Sequence, residues 1–369
     1  MGPTTHDRYP QPRRPRPPVD TTRRSRIAVL AGVAVVAAVV LAVIGRGGTG
    51  HTGQATPTTP ADNPARGSSA SSPGPTASTS PTTPPTTAVP AAVVWAVQTG
   101  STVVSARTAS GATVTVPTAL WVPTGASSGP FPLLVFSPGY QIDPSAYAPL
   151  TSAWAADGYI VAEPTYPDTA PGAPLIESDM VNHPAELTQV ITALLSDSSQ
   201  GALPAHDTIE PAQIAVAGQS DGGDVSLAAV ANSCCRDPRI KAAVILSGAE
   251  ATLFGGTYYS TGSTPLLAVQ GSDDPINPPG CSEQLYDGAP APRYYLSLPG
   301  ATHLSAYTAA GPQLSVVVDV TTAFLDGYVK RIPSRLDELP QIGTQTDISQ
   351  LSSGSATVTV EGSCLGAPA

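Results

Sequence analysis

Lysine is nearly missing from this chain. Among 369 residues and 17 basic side chains, only Lys241 and Lys330 are lysines. Seven of the arginines crowd into residues 1–26, where they outweigh Asp7 and Asp20 and give +5. The formal net charge of −10 therefore leaves −15 on everything that follows. A phosphate backbone is read by a basic patch, so this distribution argues against nucleic acid as a partner; the spread-out acidic surface serves solubility. Cysteine is scarce as well. The four cysteines form no Cys-x-x-Cys pair and have no histidine at metal-ligand spacing, which argues against a zinc site. No metal or cofactor is expected. No internal repeat is visible.

Proline, by contrast, is abundant at 41 residues and clusters toward the N-terminus. Residues 1–26 are Pro- and Arg-rich without apolar periodicity and are read as a disordered basic tail. Residues 27–44 carry no charge and, at about 1.5 Å per residue, reach roughly 27 Å, the lower limit for spanning a bilayer. Arg23, Arg24 and Arg26 precede the run, and only Arg46 follows closely. By the positive-inside rule, this is a transmembrane anchor with a cytoplasmic N-terminus and an extracytoplasmic remainder. Secretion after cleavage is the alternative, although Gly45-Arg46-Gly47 is a poor exit site and Arg23-Arg24 a weak twin-arginine signal. Residues 45–92, dominated by Pro, Thr and Ser, are a linker unable to bury a core. A globular domain is expected over 93–332, followed by a C-terminal tail over 333–369.

Within the globular part, short alternating runs at 93–97, 102–107, 112–116 and 119–122 predict an opening antiparallel meander. Near-continuous apolar runs at 131–136, 159–162, 214–217, 242–246, 266–269 and 294–298 predict buried strands. Helices are predicted over 146–157, 178–195 (with Pro184 in its first turn), 225–231 and 314–329, and an edge strand over 356–360. The alternation implies a mostly parallel sheet flanked by helices.

The chemistry centres on Gly218-Gln219-Ser220-Asp221-Gly222. A strand runs into this Gly-x-Ser-x-Gly and a helix leaves it, the pattern of a nucleophile elbow. Gly125-Ala126-Ser127-Ser128-Gly129 has the same spacing but sits in a loop. A serine hydroxyl needs a base, and the base needs a carboxylate. On such a scaffold the partners follow in the order Ser, acid, His. His6, His51, His183 and His206 all precede Ser220, so His303 is the one eligible base. The acid loop Gly271-Ser272-Asp273-Asp274 offers Asp273 and Asp274, with Glu250 and Glu283 weaker. The oxyanion donors are expected to be the N–H groups of Asp221 and of Tyr140, in the loop Phe136-Ser137-Pro138-Gly139-Tyr140. In this scheme Gly139 permits the turn. A carboxylate at Asp221 would oppose an oxyanion, so its side chain should point away. Trp154, Tyr166, Tyr258 and Tyr259 are candidate pocket residues. Outside a membrane thiols oxidise, and four cysteines allow three pairings. A bond between the adjacent Cys234 and Cys235 would be strained; Cys281–Cys364 is the favoured disulfide, and free buried thiols are the alternative.

Residues 112–330 resemble the α/β-hydrolase superfamily, and within it the dienelactone-hydrolase, platelet-activating-factor-acetylhydrolase and cutinase-like polyester-hydrolase group. Residues 129–140 are similar to that group's entry strand and oxyanion loop, with Pro138-Gly139 where many members have His-Gly. Residues 218–223 match the elbow, with Gln219 and Asp221 departing from the usual His and apolar residue. Residues 271–278 match the acid loop with Asp274 in the acid's place, and Gly300-Ala301-Thr302-His303 the histidine loop. The resemblance implies an α/β-hydrolase fold and a serine ester hydrolase working through Ser220, His303 and Asp274 on a small-molecule or polymeric ester. Acyl transfer or peptide cleavage by the same triad is the alternative reaction, and a non-catalytic envelope-ligand module the alternative class. The short segment 249–264 leaves little or no lid, which favours an open cleft. Oligomeric state is not read from these residues.

Overall fold

A computed structural model describes residues 94–125, 129–360 and 364. The basic tail, the apolar run 27–44 expected to anchor the chain, and the linker 45–92 lie outside the described residues. Among the described residues, no helix is long and apolar enough to cross a membrane.

Two twelve-residue strands, β1 (Ala96–Arg107) and β2 (Thr113–Thr124), open the described chain as an antiparallel hairpin. The four short runs read from the sequence are thus two continuous strands. The Ser and Thr residues that looked like breaks occupy many of the outward positions of a period-2 pattern, while Val104, Ala106, Val116, Leu120 and Val122 face inward. Six strands then run parallel: β3 (Phe131–Ser137), β4 (Ile160–Pro164), β5 (Ile209–Gln219), β6 (Ile240–Leu246), β7 (Leu266–Gly271) and β8 (Arg293–Leu298). The order across the nine-stranded sheet is β1-β2-β4-β3-β5-β6-β7-β8-β9. The chain starts its parallel part in the middle and winds outward in both directions, which fits the α/β-hydrolase fold.

Every residue of β3, β4 and β7 is buried, the mark of strands covered on both faces. Alternate side chains feed two apolar clusters. Leu133 and Val135 join one, packed against α2 (His183–Ser199) and α3 (Asp221–Ala231). Leu134 and Phe136 join the other, packed against α1 (Ala148–Ala156) and α6 (Pro312–Tyr328). Each fully buried Leu, Val or Phe contributes about 1.5–3 kcal/mol, so this double-sided core holds the strand ends in place.

The boundaries differ from the sequence reading for local reasons. The helix expected from 178 begins as a 3-10 turn, Glu177–Asn182, and becomes α-helical at His183, where Pro184 sits in the first turn and its missing N–H costs nothing. Residues 356–360 form no strand; the antiparallel edge strand is β9 (Gln350–Ser353), paired with β8. It follows α4 (Pro279–Gly288), the short α5 (Ser305–Thr308), α6 and α7 (Pro333–Ile342) in the chain. Disulfides join Cys281 in the first turn of α4 to Cys364, and also Cys234 to its neighbour Cys235.

Candidate active site

Strand β5 ends at Gln219, and the chain turns directly into α3 through Ser220, whose φ of 55° and ψ of −126° are unusual for a residue with a side chain. The turn is held from three sides. Ser220 N–H donates to the Leu246 carbonyl (2.9 Å), Asp224 N–H to the Ser220 carbonyl (3.0 Å), and Ser226 Oγ to the Ala217 carbonyl (2.9 Å). The flanking glycines are needed for space. A Cβ on Gly218 would meet the Gly222 carbonyl, and one on Gly222 would meet the Ser137 carbonyl. So tight a turn lifts Ser220 to the C-terminal edge of the sheet.

His303 reaches it from the loop after β8. Its Nε2 lies 2.8 Å from Ser220 Oγ and its Nδ1 2.8 Å from Asp274 Oδ2. An ionised carboxylate only accepts, so Nδ1 carries the proton and Nε2 is free to accept the serine's. Asp274 is itself fastened: Oδ1 accepts from the N–H groups of Ile276 (2.9 Å) and Asn277 (3.0 Å), and Oδ2 also accepts from Gln270 Nε2 (3.2 Å). Asn277 Nδ2 ties this loop to the Ser247 carbonyl at 2.6 Å. Asp273, the competing acid, is exposed and accepts from Ser272 Oγ. Its backbone N–H bonds the Ala301 carbonyl, and Gly300 N–H bonds Ser272 Oγ, so the acid and histidine loops are laced together. Glu250 accepts from Gln284 Nε2 and touches no triad member. Ser220 and His303 are each 8 % exposed.

Across from the triad lies the loop that follows β3. Gly139 does not occupy the left-handed region, so the expected turn role is replaced by one of space: a Cβ there would run into the Gln219 side-chain oxygen. Tyr140 is buried and donates its hydroxyl to the Leu175 carbonyl (2.9 Å). Burial, the nearby Glu177 and, in the opposite direction, its own backbone N–H act on the Asp221 carboxyl, and the net effect pushes it up to about 7. The neutral acid therefore persists toward neutral pH. That removes much of the conflict between a carboxylate and an oxyanion.

The aromatic pocket expected from the sequence is not assembled. Trp154 is fully buried and donates to Thr321 Oγ1 (2.9 Å), a core role. Tyr166 is also interior, bonded to Ser137 Oγ (2.9 Å) and stacked on His183 at 4.0 Å. Tyr258 pairs with Asn232 at the far end of α3 from Ser220, and Tyr259 donates to the Leu285 carbonyl. These rings settle where their area is buried, the usual fate of aromatics. The segment 249–264 runs back along α3, with Tyr259 N–H on the Ala231 carbonyl, and forms no lid. The segment beside the site is instead 165–182, which carries Leu175 and Glu177. A groove of about 730 Å³ lined by Val181, Pro184, Cys234, Arg236 and Phe254 includes no triad member; hydrogen-bond geometry, rather than cavity size, locates the chemistry. Among the described residues no cluster of His, Cys, Asp or Glu is arranged to hold a metal ion. No sequence pattern marks Asn277 or Tyr147 as part of the site; Gln270 is marked only by its position at the end of the strand before the acid loop.

A family model described as Chlorophyllase matches residues 93–247. That family is one of the α/β-hydrolase superfamily. The matched stretch contains the oxyanion loop and Ser220 and stops before Asp274 and His303. No curated protein matches the chain.

Proposed function

We propose that this α/β-hydrolase is a serine carboxylic ester hydrolase that uses Ser220, His303 and Asp274. The observation that carries the reading is the unbroken relay from Ser220 Oγ through His303 to Asp274, two contacts of 2.8 Å each. The Chlorophyllase match supports the coarser statement, a hydrolase of the ester-cleaving α/β type.

In this mechanism Ser220 Oγ attacks the ester carbonyl carbon as its proton passes to His303 Nε2. Asp274 holds the ring and stabilises its charged form. The N–H groups of Tyr140 and Asp221 donate to the tetrahedral oxyanion, the kind of contact worth about 2.7–4 kcal/mol per donor. His303 then gives its proton to the leaving alcohol, and the acyl-enzyme is released by water activated by the same nitrogen. With 249–264 folded away, the cleft suits accessible esters: short acyl chains or polymers. The proposed setting is extracytoplasmic, tethered by 27–44 and the linker. The charge pattern around 27–44 supports it, as do the two disulfides, which fit an oxidising compartment.

A fluorophosphonate probe tests the reading. The native protein should label and Ser220→Ala should not. Folded protein that fails to label would remove the claim of a catalytic serine. Rates along a ladder of p-nitrophenyl esters test the cleft: cleavage of long chains alone would contradict the open geometry.

A further inference from the structure

Gln219 directly precedes the nucleophile in the elbow, and its side chain turns inward, with no solvent exposure. Both ends of its amide are engaged. Oε1 accepts from the Tyr147 hydroxyl at 2.7 Å, and Nε2 donates to the His303 carbonyl at 3.0 Å. A carbonyl can only accept, so the orientation of the amide is fixed by its partners. Tyr147 in turn accepts from the Gly139 N–H at 3.3 Å. A single buried chain of hydrogen bonds therefore runs from the oxyanion loop, through Tyr147 and Gln219, to the backbone of the catalytic histidine. The absent Cβ of Gly139 is what makes room for it.

We propose that Gln219 is a positioning residue that holds the oxyanion loop and the His303 backbone in one register. The inference rests on the ester-hydrolase reading above. Asp274 sets the direction of the imidazole ring, but it cannot fix the backbone from which the ring hangs. The Gly300-Ala301-Thr302-His303 loop is bonded to the acid loop on one side, and on the other Gln219 is the side chain that bonds the His303 carbonyl. Because the same amide also holds Tyr147 under Gly139, a shift of the oxyanion loop and a shift of the base are coupled. Removing the link leaves a buried carbonyl without a donor and the Tyr147 O–H without an acceptor, although its oxygen still faces the Gly139 N–H; the interior tolerates such unpaired groups badly.

Three single substitutions and one double variant test this. Gln219→Leu fills a similar volume without hydrogen bonds. It should lower kcat about ten- to a hundred-fold, as expected for losing one or two buried hydrogen bonds in the transition state, with KM nearly unchanged. Tyr147→Phe cuts the chain at its other link, and the double variant should lose no more than the worse single one, since both break one unit. Gln219→Glu supplies the sharpest readout. As a carboxylate it cannot donate to the His303 carbonyl; as a neutral acid it can. The ratio of its kcat/KM to that of the native enzyme should therefore rise as pH falls, whereas the ratio for Gln219→Leu should stay flat. A flat ratio for Gln219→Glu, or full kcat in Gln219→Leu, overturns the proposal, and so does additivity of Gln219→Leu with Tyr147→Phe. Fluorophosphonate labelling of native protein is run alongside: if the native serine does not label, the ester-hydrolase reading has failed, and if it labels while the variants keep native kcat, only the role of Gln219 has.

Discussion

Gly222 sits so close to the carbonyl of Ser137 that no Cβ fits between them. The contact presses the first turn of α3 against the end of β3, bringing the Asp221 amide and the 138–140 loop to the same edge. Glycine is required here for close approach, since Gly222 does not adopt a positive φ. Gly222→Ala should force the helix away from the strand. Overpacking of this kind costs about 1–3 kcal/mol, and the clash is with rigid backbone on both sides. The expected outcome is a lower melting temperature together with loss of fluorophosphonate labelling, measured on the same preparation. Native labelling in Gly222→Ala would mean that the two elements can separate without disturbing the serine.

The Asp274 carboxylate is bonded on both oxygens, and the two sides differ. Oδ1 faces two backbone N–H groups, while Oδ2 faces His303. In Asp274→Asn the amide oxygen would take the side of the two donors, which leaves the NH2 pointing at His303 Nδ1. That nitrogen must then accept, its proton moves to Nε2, and the base is in the wrong tautomer. A loss in kcat on the order of 10⁴-fold is expected, read with a p-nitrophenyl ester, with little change in melting temperature. Asp273→Asn, at the exposed neighbour, should leave the rate near native.

The Cys281–Cys364 bond closes a loop with a sequence separation of 83. It pins the C-terminal segment beside the acid loop that ends at Pro278. In the chain-entropy account a loop of this size stabilises by about 4–5 kcal/mol. The Cys281→Ser, Cys364→Ser double variant should therefore melt several degrees lower, measured by thermal unfolding without reductant. Activity per folded molecule should change less than stability does, because Asp274 keeps its bonds to Ile276, Asn277 and Gln270.

The parts of this structure legible from the sequence were those with a strong local signal. Fully buried strands read as apolar runs, and chain order left His303 as the only eligible base for Ser220. Outward Ser and Thr on a half-exposed strand look like turn residues, so the sequence pattern splits the hairpin β1–β2 into four pieces. The edge strand at 350–353 has no apolar pattern of its own and is defined by pairing with β8. The misplaced pocket aromatics illustrate a different limit: Trp154 and Tyr166 carry no pattern that distinguishes a core ring from a cleft ring. The bonds of Gln219 and Gln270 depend on contacts 84 and 4 residues away, respectively. A neutral amide advertises neither.

Glu186 is a carboxyl the proposed mechanism does not use. It lies in the first turn of α2, with no solvent exposure and neither oxygen paired. Burial, with Asp179 and Asp168 adding to it, pushes it up to about 7 from an ordinary value of 4.5. The sign of the linkage follows. Between these two values the folded state holds a proton that the unfolded chain releases, so stability from this group is fully present below about 4.5 and is lost as pH rises toward about 7. Glu186→Gln removes the titration. The melting temperature of the variant minus that of the native protein should increase from pH 4.5 to 7 and level off above. His183, next to it, is depressed mainly by burial and so works in the opposite direction, favouring stability at higher pH. That contribution is common to both proteins and cancels in the difference. A difference that stays constant with pH would show that Glu186 is already ionised, held by partners other than those around it here.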